Sequence, residues 1–167
     1  MKPNNAACGR GIRVIHKKSK VSKSLRQVAC KYVHKPHLIN GFKYDMRLYV
    51  LVTSYDPLRI YIFENGLVRF ATAKYSISKK SLKKRFIHLT NYSVNKKAQN
   101  YVKSSAPKTE EEKEDEEEAS KWDLNTLKSK LKEMGVNVDE AFKKVKDLCI
   151  KTIMSVEPHL ASNYNRF

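Results

Sequence analysis

Alternating hydrophobic and polar positions in the first half of the chain predict a series of short β-strands. The alternation predicts strands over residues 12–15 and 27–33. Residues 46–54 are dense in β-branched and aromatic side chains and predict a buried strand, with a turn at Asp56-Pro57 after it. This half of the molecule is therefore expected to be built from β-sheet.

The sequence Asn65-Gly66 lies between two apolar segments, 59–63 and 67–70. Asn-Gly is a strong hairpin signal, because both residues tolerate the positive φ that a two-residue turn requires. We therefore predict a hairpin over residues 58–71.

The pattern is less regular between the predicted hairpin and the second half of the chain. Residues 86–94 predict a short strand that passes into a polar loop. Residues 103–120 combine serine, proline and a run of acidic residues, which predicts a solvated, disordered insert.

The hydrophobic period changes from two to 3.6 after residue 120, which predicts two helices. The first carries an apolar stripe from Leu124 to Met134, with Asp123 as its cap and Gly135 at its end. The second runs from residue 138 to residue 156 with Cys149 buried in its apolar stripe, and Pro158 ends it. Strands followed by helices predict an α+β fold for one domain spanning residues 1–167.

The charge is distributed very unevenly along the chain. The net charge is +17, yet residues 1–109 hold 24 Lys and Arg against three acids, and residues 110–118 hold eight acids. Such a basic surface attracts nucleic acid, an acidic membrane leaflet, nucleotide phosphates or an acidic protein tail. Composition alone favours an RNA-coating protein as strongly as any other class. No apolar run is long enough to span a membrane, and three widely spaced cysteines favour a reducing cytosol.

Two segments carry residues suited to phosphate chemistry. Lys2 precedes a small-residue loop that contains Gly9 and Gly11, and such loops let backbone N–H groups approach phosphate oxygens. A plain flexible turn explains the same residues. Further along, Lys43, Asp45 and Arg47 alternate, so a strand places them on one face, where they line either a charged cleft or a solvated surface.

Arg69 and the stretch 88–97 complete the candidate residues. Arg69 supplies a guanidinium that can bind a carboxylate or phosphate through two hydrogen bonds, and residues 88–97 combine hydroxyl, amide and cationic groups. The histidines have no metal-ligand spacing, so no metal-binding residue is predicted, and no Ser/His/Asp triad is present.

Read together, these segments resemble the tubulin tyrosine ligase-like family, in its polyglutamylase branch. The similarity covers most of residues 1–160 apart from the acidic insert, and several of its motifs are specific to the family. The matching stretches are 2–12, 32–36, 41–50, 53–61, 66–71, 88–97 and 151–153, above all His88-Leu89-Thr90-Asn91-Tyr92-Ser93.

The resemblance implies a partial ATP-grasp-like domain that ligates glutamate onto glutamate side chains of the acidic C-terminal tails of tubulin. It implies ATP and Mg²⁺ as cofactors, glutamate and tubulin as partners, and a cytoplasmic location on microtubules, including those of cilia or basal bodies. A membrane is not expected as a partner, and nucleic acid is disfavoured. Glycylation is the nearest enzymatic alternative, and a non-catalytic basic module that binds tubulin tails or another polyanion is the alternative from a different class.

The resemblance also assigns roles to individual residues. Arg47, Arg69 and Asn91 are the expected catalytic residues, and Arg47, Arg69, Tyr92, Ser93 and Lys121 the expected substrate contacts. The nucleotide is expected to contact Lys2, Gly9, Gly11, Ile12, Cys30, Lys31, Tyr32, Val33, Lys43, Asp45, Thr90 and Asn91. We therefore expect Lys2, Lys43, Arg47, Arg69 and Asn91 to converge around one nucleotide cleft.

The chain departs from the family pattern at two site positions. Cys30 stands where the family usually has Gln, and Cys8 where many members have Arg. The resemblance also places the flanking parts of the ligase domain, including the magnesium ligands, outside this sequence. On that basis we expect the 167-residue chain to be an internal segment that does not turn over ATP by itself.

Overall fold

The computed structural model describes residues 1–17, 21, 26–102 and 120–164. They form a mixed fold of short antiparallel strands and helices, with two compact units. Unit 1 comprises residues 1–45 and 68–122, and unit 2 comprises residues 46–67 and 123–167. The predicted disordered insert lies outside the described residues except for Ser120, which is buried.

Unit 1 is organised around a four-stranded sheet. In this sheet β3 (Leu38–Ile39) lies beside β4 (Phe42–Arg47), β4 beside β7 (Leu67–Phe70), and β7 beside β8 (Lys121–Asp123). Its buried apolar residues include Ile39, Val68, Phe70 and Trp122, and the rings of Phe70 and Trp122 pack edge to face. A separate two-stranded ladder pairs β1 (Lys2–Pro3) with β2 (Gln27–Val28).

Two short helices follow the sheet strands in unit 1. They are α1 (Arg85–His88), preceded by a 3₁₀ turn at Ser81–Lys83, and α2 (Tyr92–Asn95). The buried side chain of Asn95 accepts hydrogen bonds from the backbone N–H and hydroxyl of Thr72 and donates to the carbonyl of Leu89. These bonds fix the segment that carries both helices to the rest of unit 1.

Among the described residues, unit 2 contains one hairpin and the three longest helices. Strands β5 (Val50–Tyr55) and β6 (Leu58–Ile62) pair antiparallel around the turn at 56–57, which confirms that turn. The helices are α3 (Leu124–Glu133), α4 (Val138–Met154) and α5 (Glu157–Tyr164). Leu124, Leu127 and Leu131 are buried along α3.

The hairpin predicted over residues 58–71 is wrong. Strand β6 pairs with β5, and β7 lies between β4 and β8 in a different sheet. The side-chain oxygen of Asn65 accepts from the backbone N–H of Gly66 at 2.8 Å and from that of Leu124 at 3.0 Å, so Asn65 supports the start of α3. Gly66 is required for space, because a Cβ there would lie 2.5 Å from the carbonyl oxygen of Arg47.

Three other strand predictions need correction. Residues 12–15 are not a strand; the backbone of Arg13 instead pairs with the first residue, because its N–H donates to the Met1 carbonyl and its carbonyl accepts from the Met1 ammonium. The strand predicted over 27–33 is confined to β2, and the segment 46–54 is interrupted at Leu48-Tyr49, with Val50 and Leu51 exposed. Residues 86–94 are largely helical, since local bonds such as Leu89 N–H to the Arg85 carbonyl replace strand pairing.

The predicted helices are confirmed, with corrections in the second. The Asp123 carboxylate caps α3 by accepting from the Thr126 N–H at 2.7 Å, and Gly135 follows α3 with a φ of +75°. Cys149 is only half-buried and Leu148 is 65% exposed, because α4 contacts α3 and α5 along only part of its stripe. Pro158 does not end α4. It lies in the first turn of α5, where backbone N–H groups have no partner within the helix, so the absence of an N–H on proline costs no hydrogen bond.

No helix within the described residues has the combined length and apolar character of a membrane span.

Candidate functional site

A cavity of about 780 Å³ in unit 1 collects most of the predicted nucleotide-binding residues. Its wall is formed by β1, the segment 12–17, the segment 29–33 after β2, part of β4, and residues 88–91 between α1 and α2. The predicted residues on this wall are Lys2, Ile12, Cys30, Lys31, Tyr32, Val33, Lys43, Asp45, Thr90 and Asn91. We call this the unit 1 cavity.

Lys43 lies at the centre of a set of contacts on this wall. Its Nζ donates to the carbonyl oxygen of His88 at 3.0 Å and lies 5.1 Å from the ring centroid of Tyr32. Burial lowers the pKa of Lys43, the Asp45 carboxylate offsets part of this, and the Lys2 ammonium adds to the lowering. The ammonium groups of Lys2 and Lys43 repel each other across the cavity, so they are suited to hold an anion between them.

His88 holds Tyr32 in place, a role that the sequence did not assign to it although it lies in the candidate stretch 88–97. Its Nε2 lies 3.1 Å from the carbonyl oxygen of Ser81, which can only accept, so Nε2 carries the proton. Its Nδ1 therefore accepts from the Tyr32 hydroxyl at 2.9 Å. Burial lowers the pKa of His88, the Ser81 carbonyl opposes that change, and Lys43 contributes to the lowering.

The ring of Tyr75 completes this cluster. Tyr75 and Tyr32 both meet the His88 ring edge to face. The pKa of Tyr32 is raised well above its ordinary value, first by burial and then by its contact with Tyr75. Because the pKa of His88 is lowered and that of Tyr32 is raised, the His88 imidazole and the Tyr32 phenol both stay neutral near pH 7.

Asp45 lies on the cavity wall, and its carboxylate is held by hydrogen bonds from neighbouring side chains. Arg69 donates from Nε to Oδ1 and from Nη2 to Oδ2 of Asp45, both at 2.8 Å. The Thr90 hydroxyl donates to Oδ2 at 2.7 Å. Both carboxylate oxygens thus accept hydrogen bonds, and Asp45 fixes the guanidinium of Arg69 and the hydroxyl of Thr90 relative to each other.

The glycine loop packs directly against the segment that carries Asn91. Gly9 has a φ of +76°, and a Cβ there would lie 2.7 Å from Asn91 Oδ1. Ser93 donates from its hydroxyl to the carbonyl of Cys8 at 2.7 Å, and Arg85 donates to the carbonyl of Gly9 at 3.0 Å. The sequence predicted this loop and residues 90–93 as parts of one site, and the structure brings them together.

Gly11 has a different function in the loop. Its φ is +68°, and a Cβ there would lie 2.6 Å from Cγ of Pro3. Gly11 therefore allows the loop to pack against β1, which carries Lys2.

Tyr92 and Lys121, two of the predicted substrate contacts, lie close to each other in unit 1. The Nζ of Lys121 is 4.5 Å from the ring centroid of Tyr92, and the Nζ of Lys96 is 5.2 Å from the same centroid. The negative face of the Tyr92 ring attracts both ammonium groups. Lys96 was not among the predicted site residues.

Arg47 lies on β4 with Lys43 and Asp45, at positions that share one strand face, as the alternation predicted. It belongs to unit 2, where its guanidinium lies 5.9 Å from the ring centroid of Tyr49. The described residues thus gather Lys2, Lys43 and Asn91 at one cavity, with Arg69 joined to it through Asp45. The role of Arg47 stays a prediction.

Cation-binding groups are scarce among the described residues. Nowhere in the described ranges do three His, Cys, Asp or Glu side chains converge, and both oxygens of Asp45 accept hydrogen bonds from Arg69 and Thr90. This donor set does not fit a magnesium ion.

The unit 1 cavity thus has Lys2, Lys43, Asp45 and Thr90 on its wall, and Arg69 is joined to the wall through Asp45. The model of the tubulin-tyrosine ligase family matches residues 1–167, and the chain belongs to that family.

Several curated relatives are similar over almost the whole chain. It is 49% identical to tubulin monoglutamylase TTLL4 of Mus musculus over 97% of its length, and 41% identical to tubulin polyglutamylase TTLL5 of Mus musculus over its full length. It is 37% identical to tubulin polyglutamylase TTLL6 of Mus musculus over 98% of its length. The chain spans 13%, 12% and 19% of these relatives, respectively.

Proposed function

We propose that the chain is the nucleotide- and glutamate-binding part of an ATP-dependent ligase that attaches glutamate to glutamate side chains in the acidic C-terminal tails of tubulin. The observation that carries the proposal is the convergence of ten of the predicted nucleotide contacts on the unit 1 cavity, in a chain of the tubulin-tyrosine ligase family. Ligation of an amino acid requires activation, because a carboxylate is a poor electrophile.

In the proposed reaction, a carboxylate oxygen of the acceptor attacks the γ-phosphorus of ATP, which forms an acyl phosphate and releases ADP. The amine of free glutamate then attacks the acyl carbon, loses a proton and expels inorganic phosphate. Both steps develop negative charge on phosphoryl oxygens, which positive groups stabilise. Magnesium, when bound, would neutralise part of this charge.

Within this proposal, Lys2 and Lys43 provide the positive charge for the phosphates. Lys43 is suited to this task, because the His88 carbonyl and the Tyr32 ring hold its ammonium in one position. Gly9 lets the backbone of the loop approach Asn91 closely, so that loop N–H groups can meet phosphate oxygens.

The adenine would contact residues 30–33. Tyr32 fixes this segment through His88, and Ile12 and Val33 supply apolar surface on the cavity wall. The thiol of Cys30 is exposed. It occupies a position where an amide side chain would recognise adenine by hydrogen bonds to the edge of the base. Because a thiol forms weaker hydrogen bonds than an amide, we expect weak discrimination between adenine and other bases.

The donor glutamate would be bound by Arg69, Tyr92, Ser93 and Lys121. Asp45 orients the guanidinium of Arg69, and the Tyr92 ring orients the ammonium of Lys121. Two oriented cations suit an amino acid that carries two carboxylates, whereas glycine carries only one. This favours glutamate over glycine as the donor.

The experiment measures binding of a non-hydrolysable ATP analogue to the purified 167-residue chain by calorimetry. We expect Lys43→Met to weaken binding about tenfold or more, since a charged hydrogen-bonded contact is lost. Lys35→Met, at an exposed lysine outside the cavity wall, is the matched control and should bind like the parent chain. Equal affinities of the two variants would reject the nucleotide site.

A further inference from the structure

We propose that a second, cationic groove in unit 1 binds the acidic acceptor peptide. The inference rests on the proposed function and assigns the acceptor a place on this chain. The groove has a volume of about 410 Å³, and its cationic residues are Arg13, Lys79, Lys83 and Arg85. We call it the cationic groove.

The side chains of the cationic groove form a positive surface without acidic neighbours. Lys79, Lys83, Arg85 and Arg13 are all exposed, and none of the described residues that line the groove is acidic. The sequence contains no Asp or Glu between Glu64 and Glu110. An anionic partner is therefore attracted along the whole groove.

The groove has a fixed geometry at its end near the glycine loop. Arg85 is anchored there, because its Nη2 donates to the carbonyl of Gly9 at 3.0 Å. Lys83 closes the 3₁₀ turn that begins at Ser81, where the buried serine hydroxyl donates to the carbonyls of Ser76 and Ser78. The cations are thus presented from an ordered turn.

The cationic groove is continuous with the unit 1 cavity. Residues 12–16, His88 and Leu89 line both of them. The carbonyl that anchors Arg85 belongs to Gly9, which packs against Asn91 on the wall of the unit 1 cavity. A peptide in the groove would therefore approach the end of the cavity proposed for the phosphates, where its carboxylate must react.

The lining favours an acidic peptide over a nucleic acid. Between the cations the groove is lined by aliphatic side chains, among them Ile15 and Leu82, and its described lining includes no aromatic ring other than imidazoles. Aliphatic walls accommodate the methylene groups of glutamate side chains. Proteins that bind single-stranded nucleic acid use exposed aromatic rings as stacking platforms.

The test measures the fluorescence anisotropy of a fluorescein-labelled oligoglutamate peptide with the purified 167-residue chain. The double variant Lys79→Glu/Lys83→Glu should bind the peptide about tenfold more weakly, because two attractive contacts become repulsive. Lys132→Glu/Lys143→Glu changes the net charge equally, at exposed sites in unit 2, and should change affinity by no more than about twofold.

Each outcome separates the groove from the nucleotide site. Equal weakening by the two double variants would overturn the proposal, since net charge alone would then explain binding. The proposal would also be overturned, in favour of nucleic acid, if an oligothymidylate competed with the peptide and its binding depended equally strongly on Lys79 and Lys83. Loss of peptide binding in Lys79→Glu/Lys83→Glu with unchanged binding of the ATP analogue supports the groove. Dependence on these lysines in a chain that binds no ATP analogue would uphold the groove and reject the proposed ligase function.

Discussion

Arg69 and Asp45 form a two-point ion pair in which Nε and Nη2 of the guanidinium each lie 2.8 Å from a carboxylate oxygen. The pair joins β7 to β4, and the Thr90 hydroxyl adds a third hydrogen bond to Asp45. The same residues are proposed to orient the donor glutamate and to border the nucleotide. The pair thus connects the stability of unit 1 with its proposed chemistry.

We expect Asp45→Ala to lower the free energy of unfolding of unit 1 by about 1–2 kcal/mol, because Arg69 and Thr90 lose a charged partner. The side chains of Arg69 and Asp45 are 24% and 36% exposed, so water replaces part of the lost interaction. Urea unfolding followed by the fluorescence of Trp122 measures this, since Trp122 is the only tryptophan and is buried in unit 1.

A double-mutant cycle provides the control for this prediction. Arg69→Ala and the double variant should give a coupling energy of about 1 kcal/mol between the two side chains. A coupling energy near zero would mean that the ion pair contributes nothing to the stability of unit 1.

Gly9→Ala should weaken binding of an ATP analogue about tenfold, because the new Cβ would lie 2.7 Å from Asn91 Oδ1 and displace that side chain. The positive φ of +76° adds strain of about 1–2 kcal/mol. Calorimetric titration measures the affinity, and urea unfolding measures the strain.

Gly135→Ala is the matched control for Gly9→Ala. Gly135 has a nearly identical φ of +75°, yet a Cβ there would have nothing within 4 Å. This variant should show the strain and leave nucleotide affinity unchanged. If Gly9→Ala and Gly135→Ala bind the analogue equally well, close approach of the loop is not needed for binding.

The stability of unit 1 should fall with acidification through pH 6.5. Burial lowers the pKa of His88 below its ordinary value of 6.5, so below that pH the unfolded chain binds a proton that the folded chain does not. Protonation therefore favours the unfolded state, and stability is lost as pH falls from above 6.5 toward the lowered pKa of the folded protein.

Urea unfolding of the parent chain and of His88→Gln between pH 5 and pH 8, followed by Trp122 fluorescence, tests this pH dependence. The variant lacks the titrating ring, so its stability should change less steeply with pH. Parallel pH profiles would show that His88 does not titrate differently in the folded and unfolded states.

Local rules predicted the elements whose structure depends on near neighbours. The Asp123 cap, the buried Leu124, Leu127 and Leu131 of α3 and the glycine after it follow from spacing along a single helix and were found. Met134, predicted in the same stripe, lies beyond the end of α3 and is exposed. The shared face of Lys43 and Asp45 follows from strand alternation in the same way. The family resemblance, which rests on residue identity, selected ten residues that the structure brings to the wall of the unit 1 cavity, and their contact with a nucleotide stays a prediction.

Prediction failed where a residue's partner is distant in the sequence. Asn65-Gly66 has the composition of a hairpin turn, but Asn65 accepts from the N–H of Leu124, 59 residues away, and Gly66 packs against the backbone of Arg47. His88 has no informative spacing to the other histidines, and only the fold brings it to Tyr32, 56 residues earlier.

The sequence by itself determined the family, the basic character of residues 1–109 and the α3 helix with its cap, because these depend on residue identity and short-range spacing. Only the tertiary structure decided which strands pair, that Arg69 and Thr90 both bind Asp45, and that Tyr32 and Lys43 meet at His88. Those side-chain contacts join segments more than 20 residues apart. Such contacts form because the whole unit must bury its apolar side chains and satisfy its buried hydrogen-bonding groups. The local sequence pattern of either segment does not determine them.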